Sequence, residues 1–173
     1  MQTYLTENEF PPYFKPYIEI LGSDLKSIIT HLENSLEQAL ILFSNVLEEK
    51  QLYRYAEGKW TIKELIQHII DAERVFCYRA LTFARNDITT LPSFNENDYV
   101  AHSRANKRPF TDLLNELKSV RASTILLYKS FDESDLVKTG NASGKTISVN
   151  ALGYIISGHL LHHLKIIEDR YLF

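Results

Sequence analysis

Apolar residues recur at helical spacing in four long stretches of this chain, and polar residues fill the positions between them. In the first, Leu25, Ile28, Ile29, Leu32, Leu36, Ala39, Leu40, Phe43 and Leu47 form one stripe, with a cap expected at Ser23 and Asp24 and an end near Glu49. The second runs from about Ile62 to Arg85. Thr61 caps it, and Glu64 stands three positions later, as a capping box requires. Its inward stripe reads Leu65, His68, Ile69, Ala72, Val75, Phe76 and Arg79. The third, Thr111 to Phe131, places Leu113, Leu114, Leu117, Val120, Thr124, Leu127 and Tyr128 on one face, with Arg121 in its middle. The fourth starts near Ser148 and runs from Ala151 to Tyr171, with Leu152, Ile155, Ile156 and Ile166 inward. No segment shows the alternation expected of strands. The pattern predicts an all-α fold, a four-helix bundle with long inter-helix loops.

The remaining segments set the organisation. Residues 1–22 carry three of the five prolines, with Tyr4, Phe10, Tyr13, Phe14 and Tyr17 among them, and read as an extended aromatic arm packed on the domain or on a partner subunit. Residues 23–173 read as one bundle domain. Asn86 to Arg108 is the longest irregular stretch, with Pro92 and the polar run Asn95 to Asp98, and a loop of that length suits a lid or pocket rim. Asp132 to Thr146, with Gly140 and Gly144, reads as a loop with a helical turn near Ser134 to Leu136.

Charge and composition remove several function classes. A net charge of -3 and the lack of any Lys/Arg block argue against nucleic acid as a partner. Cys77, the sole cysteine, excludes an intrachain disulfide. The first residues have no apolar core of a signal peptide, and the longest apolar run, Ala39 to Phe43, is far below the ~20 residues of a membrane span. A cytoplasmic protein that does not engage membranes is expected.

Histidines carry the candidate chemistry. His159 and His163, at i and i+4, lie one above the other on the inward face of the last helix, and His68 sits on the inward stripe of the second. Three neutral imidazoles would hold a divalent ion, zinc or nickel, and leave one position open. The spacing equally fits core histidines bonded to backbone or carboxylates. His162 falls at the edge of the stripe as a supporting or solvent residue, His31 falls off its stripe as a surface residue, and His102 lies in the long loop. Cys77 is half a turn from His68 and is not counted as a ligand. Arg79 and Arg121, on apolar stripes, need either internal carboxylates such as Glu64, Asp71, Glu73 or Glu168, or the carboxylate of a small-molecule substrate. Arg170 falls on the histidine face near the C-terminus.

The segment Tyr55 to Arg79, containing Gly58-Lys59-Trp60-Thr61 and His68, followed by Arg85-Asn86-Asp87, resembles the first motif of the DinB/YfiT-like superfamily. Leu152 to Tyr171, with Gly158-His159-Leu160-Leu161-His162-His163, resembles its partner motif. The resemblance implies an up-down-down-up bundle, often a homodimer, with a divalent metal on His68, His159 and His163. It further implies a metal-dependent enzyme acting on a small molecule, foremost a thiol-dependent S-transferase using a low-molecular-weight thiol. The alternatives are a metal-dependent hydrolase using metal-bound water and a non-catalytic, metal-stabilised dimeric binding module.

Overall fold

The structure, a computed structural model, describes residues 5–23 and 25–172. The expected cap at Asp24 and the first part of the arm, including Tyr4, lie outside the described residues. Seven α-helices and one hairpin follow in order: α1 (Lys15–Glu19), α2 (Ile28–Ser44), α3 (Ile62–Ala84), α4 (Glu96–His102), α5 (Phe110–Lys129), α6 (Glu133–Leu136), β1 (Thr139–Ala142), β2 (Lys145–Ser148) and α7 (Val149–Arg170). The four long helices α2, α3, α5 and α7 are the predicted ones.

Their ends follow local chemistry. Ser27 caps α2, its Oγ accepting from Thr30 N at 3.2 Å. That helix stops at Ser44, short of the expected Glu49, where the side chains of Ser44 and Asn45 both donate to the Ile41 carbonyl. The Thr61/Glu64 capping box opens α3, with Glu64 N donating to Thr61 Oγ1 at 3.1 Å and Thr61 N to Glu64 Oε2 at 2.9 Å. Ser148 Oγ accepts from Ala151 N at 2.9 Å and starts α7.

Directions follow from which residues meet. Phe43, late in α2, packs on Phe110, the first residue of α5, so those helices are antiparallel. Lys63, at the start of α3, donates to Arg108 O just before α5 at 2.8 Å, and Cys77 meets Thr124 at 3.1 Å late in both helices, so α3 and α5 run the same way. Tyr171 Oη donates to Trp60 O at 2.8 Å, bringing the end of α7 to the start of α3. Gly153, early in α7, lies against Ile28, which starts α2. The order is up-down-down-up. Two like-directed neighbours, α3 and α5, require the chain to travel back along the whole of α3, 23 residues or roughly 35 Å. That return is why the segment between them is long. It is not wholly irregular as expected, since it contains α4 and a 3-10 turn at Ala105–Lys107.

Three other expectations are corrected. The segment read as a glycine loop contains the β1–β2 hairpin, closed by Ser143 and Gly144 at φ 56° and 73°. Positive φ at both turn residues is the geometry that matches strand twist. Gly140 lies flat on the Phe83 ring, where an added Cβ would sit 2.0 Å from Cδ1. Its strands are too short and too polar to alternate visibly. The arm, read as extended, is helical from Glu7 to Glu9, Pro12 to Phe14 and through α1, and it buries Phe10 and Phe14 against the bundle. His31, expected at the surface, is buried: its Nε2 accepts from Lys26 N at 3.1 Å and its ring meets Tyr154 edge-on.

Arg121 is fully buried and paired with Glu73, so it holds no substrate. Its Nε and Nη2 donate to the two Glu73 oxygens at 2.8 and 2.9 Å, and Nη1 donates to Leu32 O at 2.6 Å and Ser35 Oγ at 2.7 Å. Thr124 Oγ1 donates to Glu73 Oε1 at 2.6 Å. Removing one partner of such a pair leaves an uncompensated buried charge. Arg121→Met is expected to cost about 3–5 kcal/mol in urea unfolding, and adding Glu73→Leu to recover much of it.

Candidate metal centre

Helix α3 presents His68, Ala72, Phe76 and Arg79 on one stripe, and α7, antiparallel to it, presents His159 and His163 at the same level. Small residues allow the arm to close over this level. Gly158 is packed so tightly under the backbone of Tyr17 that an added Cβ would lie 1.8 Å from the Tyr17 carbonyl oxygen. Beside it, the Tyr17 ring stands edge-on to His159 and to His162, with centroids 5.4 and 5.2 Å away. Trp60 lies against His68 at 4.7 Å and Phe76 against His159 at 5.8 Å. These rings fix the imidazole planes.

All three predicted histidines are buried and turn their Nε2 atoms toward one another. His159 Nε2 is 3.1 Å from His68 Nε2 and 3.0 Å from His163 Nε2. A neutral ring nitrogen has one site, either a proton or a lone pair, so His159 Nε2 cannot satisfy both neighbours by hydrogen bonds. His163 Nδ1 is also buried without a partner. Convergent lone pairs are explained by a cation, and the spacings are near the roughly 3.3 Å between nitrogens on a tetrahedral zinc. The donor set therefore fits a divalent ion on His68, His159 and His163.

Burial keeps these rings neutral. It pushes His68 down to about 4, with the Glu96 carboxylate pulling weakly the other way. His159 is held well below the usual imidazole value by burial first and then by His163, His68 and His162, and His163 by burial first and then by His68 and His162. Lone pairs are thus available at neutral pH.

A cavity of about 370 Å³ opens on the three histidines. The arm walls it with Tyr13, Phe14 and Tyr17, and the return segment with Phe94 and Glu96. Arg79 and Ser143 also line it. Glu96 is the one carboxylate among the described lining residues. The residues that sequence reasoning passed over are Tyr17, Trp60, Glu96 and Ser143. The length of the return segment hinted at Glu96, the aromatic arm at Tyr17, and the motif around His68 contained Trp60.

The other candidates separate clearly. His162 is half-buried against Tyr17 and outside the cluster. His102 is exposed, with Nδ1 2.8 Å from Asp98 O, and Arg170 is exposed where the last turn of α7 leaves the bundle. Cys77 faces Thr124 at 3.1 Å, and burial pushes its thiol up to about 12. It is no ligand of the cluster.

A family model described as the DinB superfamily matches residues 31–167. The chain belongs to the DinB superfamily. Among solved structures, this DinB protein is similar to YfiT from Bacillus subtilis, described as a probable metal-dependent hydrolase with an unusual four-helix bundle topology. The TM-score is 0.68 at 13% identity, over 96% of this chain and 90% of that one. No curated protein matches the sequence. Among the described residues of this DinB chain, no helix is long and apolar enough to cross a membrane.

The depressed imidazoles set a pH dependence for the metal-free protein. An unfolded histidine titrates near 6.5, whereas folded His68 titrates near 4. Between those values the unfolded chain binds more protons, so stability is full above about pH 6.5 and falls as the pH drops toward 4. Urea midpoints of chelator-treated protein should decline across that window, and His159→Leu should flatten the decline.

Proposed function

We propose that this DinB protein is a metal-dependent hydrolase of a small molecule. The observation that carries this reading is the convergence of three neutral Nε2 atoms on one point at the floor of a cavity that also holds a carboxylate. The description of YfiT, a protein of the same fold, as a probable metal-dependent hydrolase supports it. A divalent ion at that point would supply Lewis acidity and lower the pKa of a coordinated water.

The chain's own residues do the rest. His68, His159 and His163 would hold the ion through Nε2, and packing against Trp60 and against Tyr17 and Phe76 orients the His68 and His159 rings for it. Aromatic walls on the arm side limit the access of bulk water to the buried histidines, which strengthens charge interactions there. Glu96 accepts a proton from the attacking water at a carboxylate oxygen and returns it to the leaving group as the scissile bond breaks. Its place at the first turn of α4 lets it reach the cavity while remaining in contact with solvent.

Thiol-dependent transfer, the activity foremost in the family resemblance, would use the same three ligands, with an added thiol replacing water as the nucleophile. The chain offers no thiol of its own there, since Cys77 lies against Thr124. An assay with and without thiol separates the two.

Protein purified without a metal-affinity tag should carry about one divalent ion per chain by elemental mass spectrometry, and His159→Ala should carry none. Screening esters, amides and phosphoesters without thiol should reveal turnover that chelation abolishes. Glu96→Gln should lower kcat by about 10²- to 10⁴-fold with the ion retained. Turnover that appears only when a thiol is added would overturn the hydrolase reading.

A further inference from the structure

Two arginines are buried in this bundle, and only one has been given an anion. Arg121 meets both oxygens of Glu73. Arg79 is 5% exposed, yet its Nη2 donates only to neutral acceptors, Pro92 O and Ser143 Oγ, each at 3.1 Å. Its Nε and Nη1 have no hydrogen-bond acceptor and no carboxylate among the described residues; the Phe94 ring lies 6.0 Å from the guanidinium carbon, and the Tyr13 phenol, neutral at neutral pH, is close enough to interact with it electrostatically. Arginine does not escape burial by losing its proton. A buried cation without a counter-charge is costly, and the chain could have relieved it with one acidic substitution.

The surroundings show that Arg79 is placed rather than stranded. Pro92 comes from the return segment and Ser143 from the hairpin turn, where it adopts the left-handed φ of 56°. Leu91 N donates to Asn141 O at 2.9 Å and Ser143 N to Leu91 O at 3.0 Å, tying these two segments together around the guanidinium. Three separate parts of the chain thus hold a positive charge in the wall of the cavity that contains the histidines.

Position gives the ligand its shape. Arg79 and His68 share one stripe of α3, eleven residues apart, which is roughly 16 Å of helix. Ala72 and Phe76 lie between them as an apolar floor. A ligand that meets both the histidines and Arg79 spans the cavity that they line together.

We propose that Arg79 binds an anionic group, carboxylate or phosphate, at the far end of an elongated small-molecule substrate whose apolar middle crosses Ala72 and Phe76. This rests on the hydrolase reading only for which end reacts. Anion binding itself does not need that reaction.

The test compares phenylbutyrate, phenylpropyl phosphate and the neutral phenylbutanamide by isothermal titration against protein as purified. At least one anion should bind about tenfold or more tightly than the amide, the scale of a hydrogen bond to a charged group. Which anion is favoured separates carboxylate from phosphate. Arg79→Met should bring the preference near one, whereas Arg79→Lys, which keeps the charge, should retain part of it. Equal or undetectable binding of all three probes to the wild type overturns the proposal, as does a preference that survives Arg79→Met. A preference lost in His159→Ala but kept in Arg79→Met would put the anion on the histidines and also overturn it. Melting temperatures verify that the variants fold. Because no turnover is read, a failed hydrolysis screen leaves the anion subsite standing, and a lost preference leaves the hydrolase reading intact.

Discussion

The bidentate pair of Arg121 and Glu73 is the contact on which the bundle's arrangement depends. It brings the middle of α5 onto the middle of α3, and through Leu32 O and Ser35 Oγ it reaches α2 as well. Three of the four long helices are therefore indexed to one guanidinium. An apolar core can slide by a turn at modest cost, but a buried ion pair with five satisfied hydrogen bonds cannot, because each displaced bond leaves a polar atom stranded. With Glu73 facing α5 and α2, the neighbouring stripe of α3, about 100° round the helix, faces α7 and the cavity. That stripe carries His68, Ala72, Phe76 and Arg79. The internal pair thus aims the candidate metal ligand and the anion subsite together.

The arm completes what the bundle begins. Tyr17 lies over Gly158, the residue before His159, and Phe14 packs edge-on to Phe76 at 6.0 Å. Glu9 Oε2 accepts from Ser148 Oγ at 2.8 Å and from Asn150 Nδ2 at 3.3 Å, so the arm is pinned at the start of α7 by polar contacts and further along it by aromatic ones. Without this cover the imidazoles would be open to bulk water on that side. With it, access is through a mouth bordered by the arm and by the return segment.

Much of this was legible in the sequence. The four long helices followed from apolar spacing, and the box at Thr61 and Glu64 was readable because capping is local chemistry between residues three apart. The inward direction of His68, His159 and His163 was equally a matter of helical phase, which is set within each helix. What phase could not say is that the three meet at one point, since that depends on the antiparallel alignment of α3 and α7. His31 shows the same limit from the other side. Its stripe pointed outward, yet Lys26 and Tyr154 come from outside its helix to bury and bond it.

The two arginines make the division plain. By itself the sequence determined that both lie on apolar stripes and that each needs a partner, because residue type and helical phase are local properties. Only the tertiary structure decided that Arg121 receives Glu73 and that Arg79 receives neutral acceptors from Pro92 and Ser143, since those partners stand 48, 13 and 64 residues away along the chain. The same holds for the hairpin that supplies Ser143: its strands are four residues each, too short for a pattern, and gain their identity by pairing with one another and by Gly140 lying on Phe83. Local sequence set the elements and their faces, and long-range packing chose which faces meet, because the free energy of a buried charge depends on what surrounds it in space.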